Sequence, residues 1–362
     1  MKSRREFLKA VGLAGAGFVA LSAISHRSEG ADGKEENKNG PASTESRIDV
    51  HHHILPPDYV AAVGEATIGA PAGTKTPQWT VERSLTTMDA QHIATAVVSV
   101  STPSVWLGDI ASSRRLARKC NEFAADMVSR HPGRFGFFAT LPLPDIKGAL
   151  DEIRYALDTL RCEGIALATN YEDKYLGDPS FASLFDELNH RKAVVHVHPT
   201  TCTYGAPLMI PPAGIEFPHD TTRAIVSLLF SGTLTRCKDV RFIFSHAGGT
   251  IPLLAYRIAG LPMLKPELGQ QVPEGVLPVL QRQCYDTALS GNPPTLSALL
   301  QLVQAKRVLF GTDFPFAPVP MIAAGAAALS KVVQNAEDAC SIDRDNAIEM
   351  FPGLGKKGVV RT

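Results

Sequence analysis

Residues 48–55 read Ile-Asp-Val-His-His-His-Ile-Leu, an apolar run that carries three consecutive histidines at its centre. As a strand, its side chains alternate, so His51 and His53 point one way and His52 the other. Three further segments have the same character. Residues 193–199 are Ala-Val-Val-His-Val-His-Pro, residues 241–249 are Arg-Phe-Ile-Phe-Ser-His-Ala-Gly-Gly, and residues 307–315 are Arg-Val-Leu-Phe-Gly-Thr-Asp-Phe-Pro. Each is a short strand-like run whose polar residue comes at its end. That placement belongs to parallel sheets, where chemistry gathers at the C-terminal ends of the strands.

Outward from these segments the chain from Arg47 onward repeats the same unit. Strands are expected at Ile48–His51, Thr95–Val100, Phe135–Leu141, Gly164–Ala168, Ala193–His198, Arg241–Ser245, Cys284–Thr287 and Arg307–Phe310. Between them lie amphipathic stretches such as Ala111–Ser129, Ile146–Leu160, Phe181–Asn189 and Thr221–Leu234. Apolar strands separated by helices indicate a parallel sheet covered on both faces. Eight βα units predict one α/β domain, a (β/α)8 TIM barrel, over residues 47–352. An open doubly wound sheet is the alternative, but no Gly-rich phosphate loop follows the first strand. The long connection from Ile54 to His92, rich in Gly and Pro, is expected to cover the barrel mouth.

Composition is that of a globular protein: 44% hydrophobic and 20% charged over 362 residues. The 36 basic and 36 acidic residues cancel, and no basic face is visible, which argues against nucleic acid as a partner. Residues 1–30 contain Arg4-Arg5 before a short, glycine-interrupted apolar run from Ala10 to Ile24. This resembles a twin-arginine export signal, so the export machinery is an expected partner and the periplasm the expected location. The run is shorter than the roughly 20 apolar residues of a membrane anchor. Residues 31–46 are polar and read as a disordered linker. The six cysteines (120, 162, 202, 237, 284 and 340) show no metal-site spacing and are expected to be mostly reduced and buried.

Three strand ends with histidine and one with aspartate, brought to one rim, make a first-row metal site. The pieces IDVHHHILPPDY, HPGRFGFFATLPLPD, GDPSFASLFDELNHR, VHVHPT, RFIFSHAGG and RVLFGTDFPF resemble the metal-dependent amidohydrolase superfamily, within it the decarboxylase branch. The middle pieces are most similar to 6-methylsalicylate decarboxylases and more distantly to aminocarboxymuconate-semialdehyde decarboxylase. The resemblance implies that His51, His53, His198 and Asp313 hold one divalent ion, Zn²⁺ or Mn²⁺, and that His246 is the acid/base residue beside it. Binuclear relatives carry a bridging lysine at the end of the fourth strand. Here that strand ends Ala168-Thr169-Asn170, which implies a mononuclear site.

Other residues are weighed against this set. Asp313 shares with His246 the candidacy for proton donor. Trp106 and Arg223 are the candidate substrate contacts, as an aromatic wall and a carboxylate clamp; for Arg223 the competing reading is an ion pair outside the barrel. His196 is expected just below the ligands and His52 outside the site. Asp49 is expected to orient a ligand from below, Asp286-Thr287 to play a supporting part, and Asp220 to cap a helix that begins at Thr221. Two activities remain: a carboxy-lyase acting on a hydroxybenzoate-type or unsaturated acid, and a hydrolase of a lactone, amide or ester. Assembly as a homodimer or higher homo-oligomer is also expected.

Overall fold

Eight runs, most of them rich in valine, isoleucine, alanine and phenylalanine, pair side by side, in parallel and in chain order. The computed structural model describes residues 47–200 and 208–356. The strands are β1 (Arg47–Ile54), β2 (Ile93–Val100), β3 (Phe135–Thr140), β4 (Gly164–Ala168), β5 (Val194–His198), β6 (Arg241–Phe244), β7 (Cys284–Asp286) and β8 (Val308–Leu309). Every residue of β1, β3 and β5 is buried, which is why they read as unbroken apolar runs rather than alternating ones. The chain beyond β8 returns to β1. Val50 N donates to Phe310 O at 3.0 Å, Asp313 N to His51 O at 2.8 Å and His53 N to Phe314 O at 2.6 Å. These bonds close the sheet into the expected barrel.

The outer layer is α1 (Val81–Ala90), α2 (Ile110–Arg130), α3 (Ile146–Arg154), α4 (Ala182–His190), α5 (Pro212–Phe230), α6 (Ile251–Ala259), α7 (Pro293–Leu302) and α8 (Val319–Val332). Four of them start on a side chain that accepts a backbone N–H: Thr80 for α1, Asp109 for α2, Asp145 for α3 and Asn292 for α7. Inside the barrel, Val50, Val97, Phe138, Val194, Ile243 and Leu309 fill the lower layers, and Met350, Phe351 and Leu354 pack against them. Each such buried side chain is worth about 1.5–3 kcal/mol. An exposed ion pair such as Lys119–Asp58 adds about 0–1 kcal/mol, so packing and not surface charge holds the barrel together.

The register of β1 against β2 slips: Asp49 faces Ala96, yet His52 faces Val98. Val50 and His51 therefore share one partner position, a β-bulge. Because of it Val50 and His51 both serve the barrel interior, while Asp49 turns to the same side as His52.

Two expected helices differ. The stretch 146–160 is α3 followed by a π turn at Tyr155–Thr159. Helix α5 begins at Pro212, not Thr221; Pro212 at its first turn sets φ for a helix, and Pro218 is carried inside. Asp220 is thus mid-helix and caps nothing. Its buried carboxylate accepts hydrogen bonds from Thr169, Asn170, Tyr175 and Thr200 N, clasping the loops after β4 and β5.

The expected signal and linker, residues 1–46, lie outside the described residues. Among those described, no helix is long and apolar enough to cross a membrane. Cys120, Cys162, Cys237 and Cys284 are buried and unpaired, Cys340 is half-buried and unpaired, and Cys202 lies outside the described residues. Burial pushes the Cys120 and Cys162 thiols up to about 12, so neither is a nucleophile at neutral pH.

Candidate metal centre

His51 and His53 from β1, His198 from the end of β5, His246 after β6 and Asp313 after β8 meet at the C-terminal rim of the barrel. His51 Nε2 lies 3.1 Å from His53 Nε2 and 3.4 Å from Asp313 Oδ1, and His53 Nε2 lies 3.1 Å from the same oxygen. The His198 ring centre is 5.1 Å from that of His51 and 4.8 Å from that of His53. His51, His198, His246 and Asp313 each present one ligand atom, all within 4.8 Å of one another.

The other ring nitrogens are engaged. His51 Nδ1 meets Asp286 Oδ2 at 2.9 Å, His53 Nδ1 meets Ser99 Oγ at 3.2 Å, and His198 Nδ1 donates to Pro199 O at 2.7 Å. With Nδ1 as the protonated nitrogen, the Nε2 lone pairs of His51 and His53 face each other at 3.1 Å. Two such lone pairs repel unless a cation lies between them. The donor set of neutral imidazoles and one carboxylate therefore fits a divalent ion, and the outer partners Asp286, Ser99 and Pro199 fix the ring orientations.

Electrostatics agree. Burial disfavours a charged His51, but Asp286 and Asp313 override it and raise its pKa to about 10. Two buried carboxylates thus draw a positive charge onto the cluster. Burial holds His53 below the usual histidine range, and burial with neighbouring His53 and His51 holds His198 well below it. Burial pushes Asp313 up, yet the histidines around it more than offset this and keep it well below the usual carboxylate range.

His246 differs from the rest. Its φ of 54° begins four successive left-handed residues, with Ala247 at 57°, Gly248 at 73° and Gly249 at 67°. A non-glycine residue there costs of order 1–3 kcal/mol, and such strain gathers at functional sites. Glycine is required at 249, where a Cβ would come within 2.0 Å of Pro218 O. Asp286 Oδ1 holds the turn by accepting from His246 N at 2.9 Å. The ring is buried, and neither nitrogen has a hydrogen-bond partner among the described residues; Nε2 stands 3.5 Å from Asp313 Oδ2.

His196, as expected, lies below the His51–His53–His198–Asp313 cluster: it is stacked on Phe138, with Nε2 3.0 Å from Asp286 Oδ2. Burial lowers its pKa to about 4. His52 is outside, bonded through Nδ1 to Asp49 and through Nε2 to Ser84. Asp49 does not orient a ligand from below. The bulge turns it outward, where it accepts from Thr312 N, Thr312 Oγ1 and His51 N and pins the turn that carries Asp313.

A cavity of about 300 Å³ opens over His198, His246 and Asp313. Ile68, Phe217, Leu289, Phe316 and Met321 wall it, with hydroxyls from Ser101, Thr102 and Ser290, and among the described residues no lysine or arginine lines it. Ile68, Pro71 and Ala72 bring the β1–β2 connection over this mouth, as its length suggests. Neither expected substrate contact lines the cavity. The Trp106 indole N–H donates to Glu172 at 3.1 Å, and exposed Arg223 bonds Tyr175 OH at 3.0 Å and lies over its ring. The aromatic walls are instead Phe217 and Phe316. Phe316 follows the Asp313 motif and was readable by its position; Phe217 was hidden by the misplaced start of α5.

Similarity to known proteins follows the same outline. The amidohydrolase family profile matches residues 48–353. "Decarboxylase yanB" of Aspergillus niger is 42% identical over 84% of this chain and 87% of its own. The 6-methylsalicylic acid decarboxylase of Penicillium expansum is 37% identical over 87% of this chain and 98% of its own. A solved amidohydrolase II superposes with a TM-score of 0.79 at 28% identity, covering 84% of this chain and 99% of that one. The chain belongs to the amidohydrolase family, in the branch that contains its decarboxylases.

Proposed function

We propose that the protein is a metal-dependent carboxy-lyase that removes carbon dioxide from a hydroxybenzoate-type acid of the 6-methylsalicylate kind. The observation that carries the reading is His246: buried, strained, with neither ring nitrogen hydrogen-bonded among the described residues, at the cavity wall beside Asp313. His51, His53, His198 and Asp313 would hold a single Zn²⁺ or Mn²⁺. The ion, when bound, supplies Lewis acidity toward the substrate's carboxylate and adjacent phenolic oxygen.

The residues of the chain do the rest. The apolar walls accept a flat ring and exclude water from it. Asp313, held ionised, offers a lone pair and not a proton. His246 is left as the acid that delivers a proton to the ring carbon bearing the carboxylate. The carbon–carboxylate bond then breaks, its electrons return to the ring, and aromaticity is restored. The absence of lysine and arginine from the described lining of the cavity favours a monocarboxylate over the more highly charged muconate substrates.

Reaction in D₂O tests this directly. One deuterium is expected at the carbon vacated by the carboxylate, read by mass spectrometry or NMR. Product without it, or ¹⁸O from water incorporated during ester or lactone opening, would replace the lyase with the hydrolase. Export by the twin-arginine route to the periplasm is proposed on Arg4-Arg5. Arg4→Lys with Arg5→Lys should leave the protein in the cytoplasm, and unchanged periplasmic activity in cells lacking that machinery would refute it.

A further inference from the structure

A second cavity, of about 330 Å³, lies at the opposite end of the barrel, among the starts of β6, β7 and β8. That volume is within the range of small-ligand sites. Its charged lining is Lys238, Arg241, Arg282, Lys306 and Arg307 against a lone Glu349. The whole chain carries no net charge, so five cations to one anion is a local concentration and not a general excess. Some of this charge is answered. Lys238 and Arg282 share Glu274, which stands outside the lining. Arg241 donates to the carbonyls of Met350 at 2.8 Å and Lys192 at 3.4 Å, contacts that fix the guanidinium without neutralising it. Lys306 and Arg307 have no carboxylate partner among the described residues.

The two arginines approach from different elements. Arg241 opens β6 and Arg307 precedes β8, on either side of Cys284 at the start of β7. Both act on the buried Cys284 thiol, partly offsetting the burial that raises its pKa. Like charges gathered in a concavity repel each other, and guanidinium forks match the geometry of phosphate and carboxylate oxygens. We propose that this basal cavity binds a small, multiply charged oxyanion, a phosphate or a polycarboxylate, separately from the aromatic acid taken at the mouth. The two cavities suit opposite ligands: among the described residues the upper has apolar walls and no cation, the lower a largely polar wall and five.

Calorimetric titration of the metal-loaded full chain with inorganic phosphate and with tricarballylate tests the site. Saturable binding of at least one probe is expected, and the preferred probe distinguishes phosphate from polycarboxylate chemistry. Arg307→Gln combined with Lys306→Ala should weaken that binding at least tenfold. Both side chains lie away from the metal cluster, so metal content and decarboxylation without anion should stay at the wild-type level. Arg307→Gln alone, which keeps most of the packing against Cys284, should weaken binding in the same direction. No saturable heat with either probe would overturn the proposal. So would equal affinity in wild type and double variant, since the anion would then be bound elsewhere, at the metal included.

Discussion

His246→Asn is expected to keep its metal and lose activity by roughly 10²–10⁴-fold, the usual contribution of a positioned acid. Asparagine is the informative replacement because it tolerates left-handed φ better than most residues, so the strained turn from 246 to 249 should survive. Alanine would combine loss of the ring with added backbone strain. Elemental analysis alongside carbon dioxide release separates metal loss from acid loss. A metal-loaded His246→Asn enzyme working at near wild-type rate would remove the residue from the chemistry and return the role to Asp313.

The opposite pattern is expected at the ligands. His51→Ala, His53→Ala, His198→Ala and Asp313→Ala should each lose bound metal and activity together, because each removes one lone pair from a small donor set. The effect should exceed the roughly 10–100-fold typical of changes to outer partners such as Asp286. His196→Gln should retain most of its metal, since His196 meets the cluster through Asp286 and an edge-on contact with the His51 ring and is not one of the four proposed donors. Affinity in the wild type should fall as pH drops below about 10, because a proton on His51 then competes with the ion for the same nitrogen. Full occupancy in two of the four ligand variants would refute the assignment.

Much of this was legible because strand ends in a barrel are addresses. His51, His53, His198, His246 and Asp313 each end a recognisable apolar run, and the fold brings such ends to one rim. The eight strands themselves stood out since they are buried on both faces. What was hidden depends on departures from regular geometry. Alternation along β1 puts Asp49 on the side of His51, and only the bulge reverses this. Pro218 together with His219-Asp220-Thr221 looks like a helix start, yet tertiary contacts carry α5 through it from Pro212. Trp106 in its loop and Arg223 on α5 both turn to partners distant in sequence, Glu172 and Tyr175, that no periodicity announces.

The extra residue in β1 also limits how this scaffold can change over evolution. Ahead of the bulge the strand contributes Asp49 to the barrel's outer lock; after it, the strand supplies two histidines of the proposed metal site. Loss of the extra residue would cost the interior a packed side chain such as Val50, and loss of one residue between His51 and His53 would put the two histidines on opposite faces of the strand and take His52 out of the lock. Neither the lock nor the cluster could be restored by substituting single side chains. Length in this segment is therefore constrained more tightly than identity, and diversification should be found in the β1–β2 connection and at the start of α5, where walls can be exchanged without moving the frame.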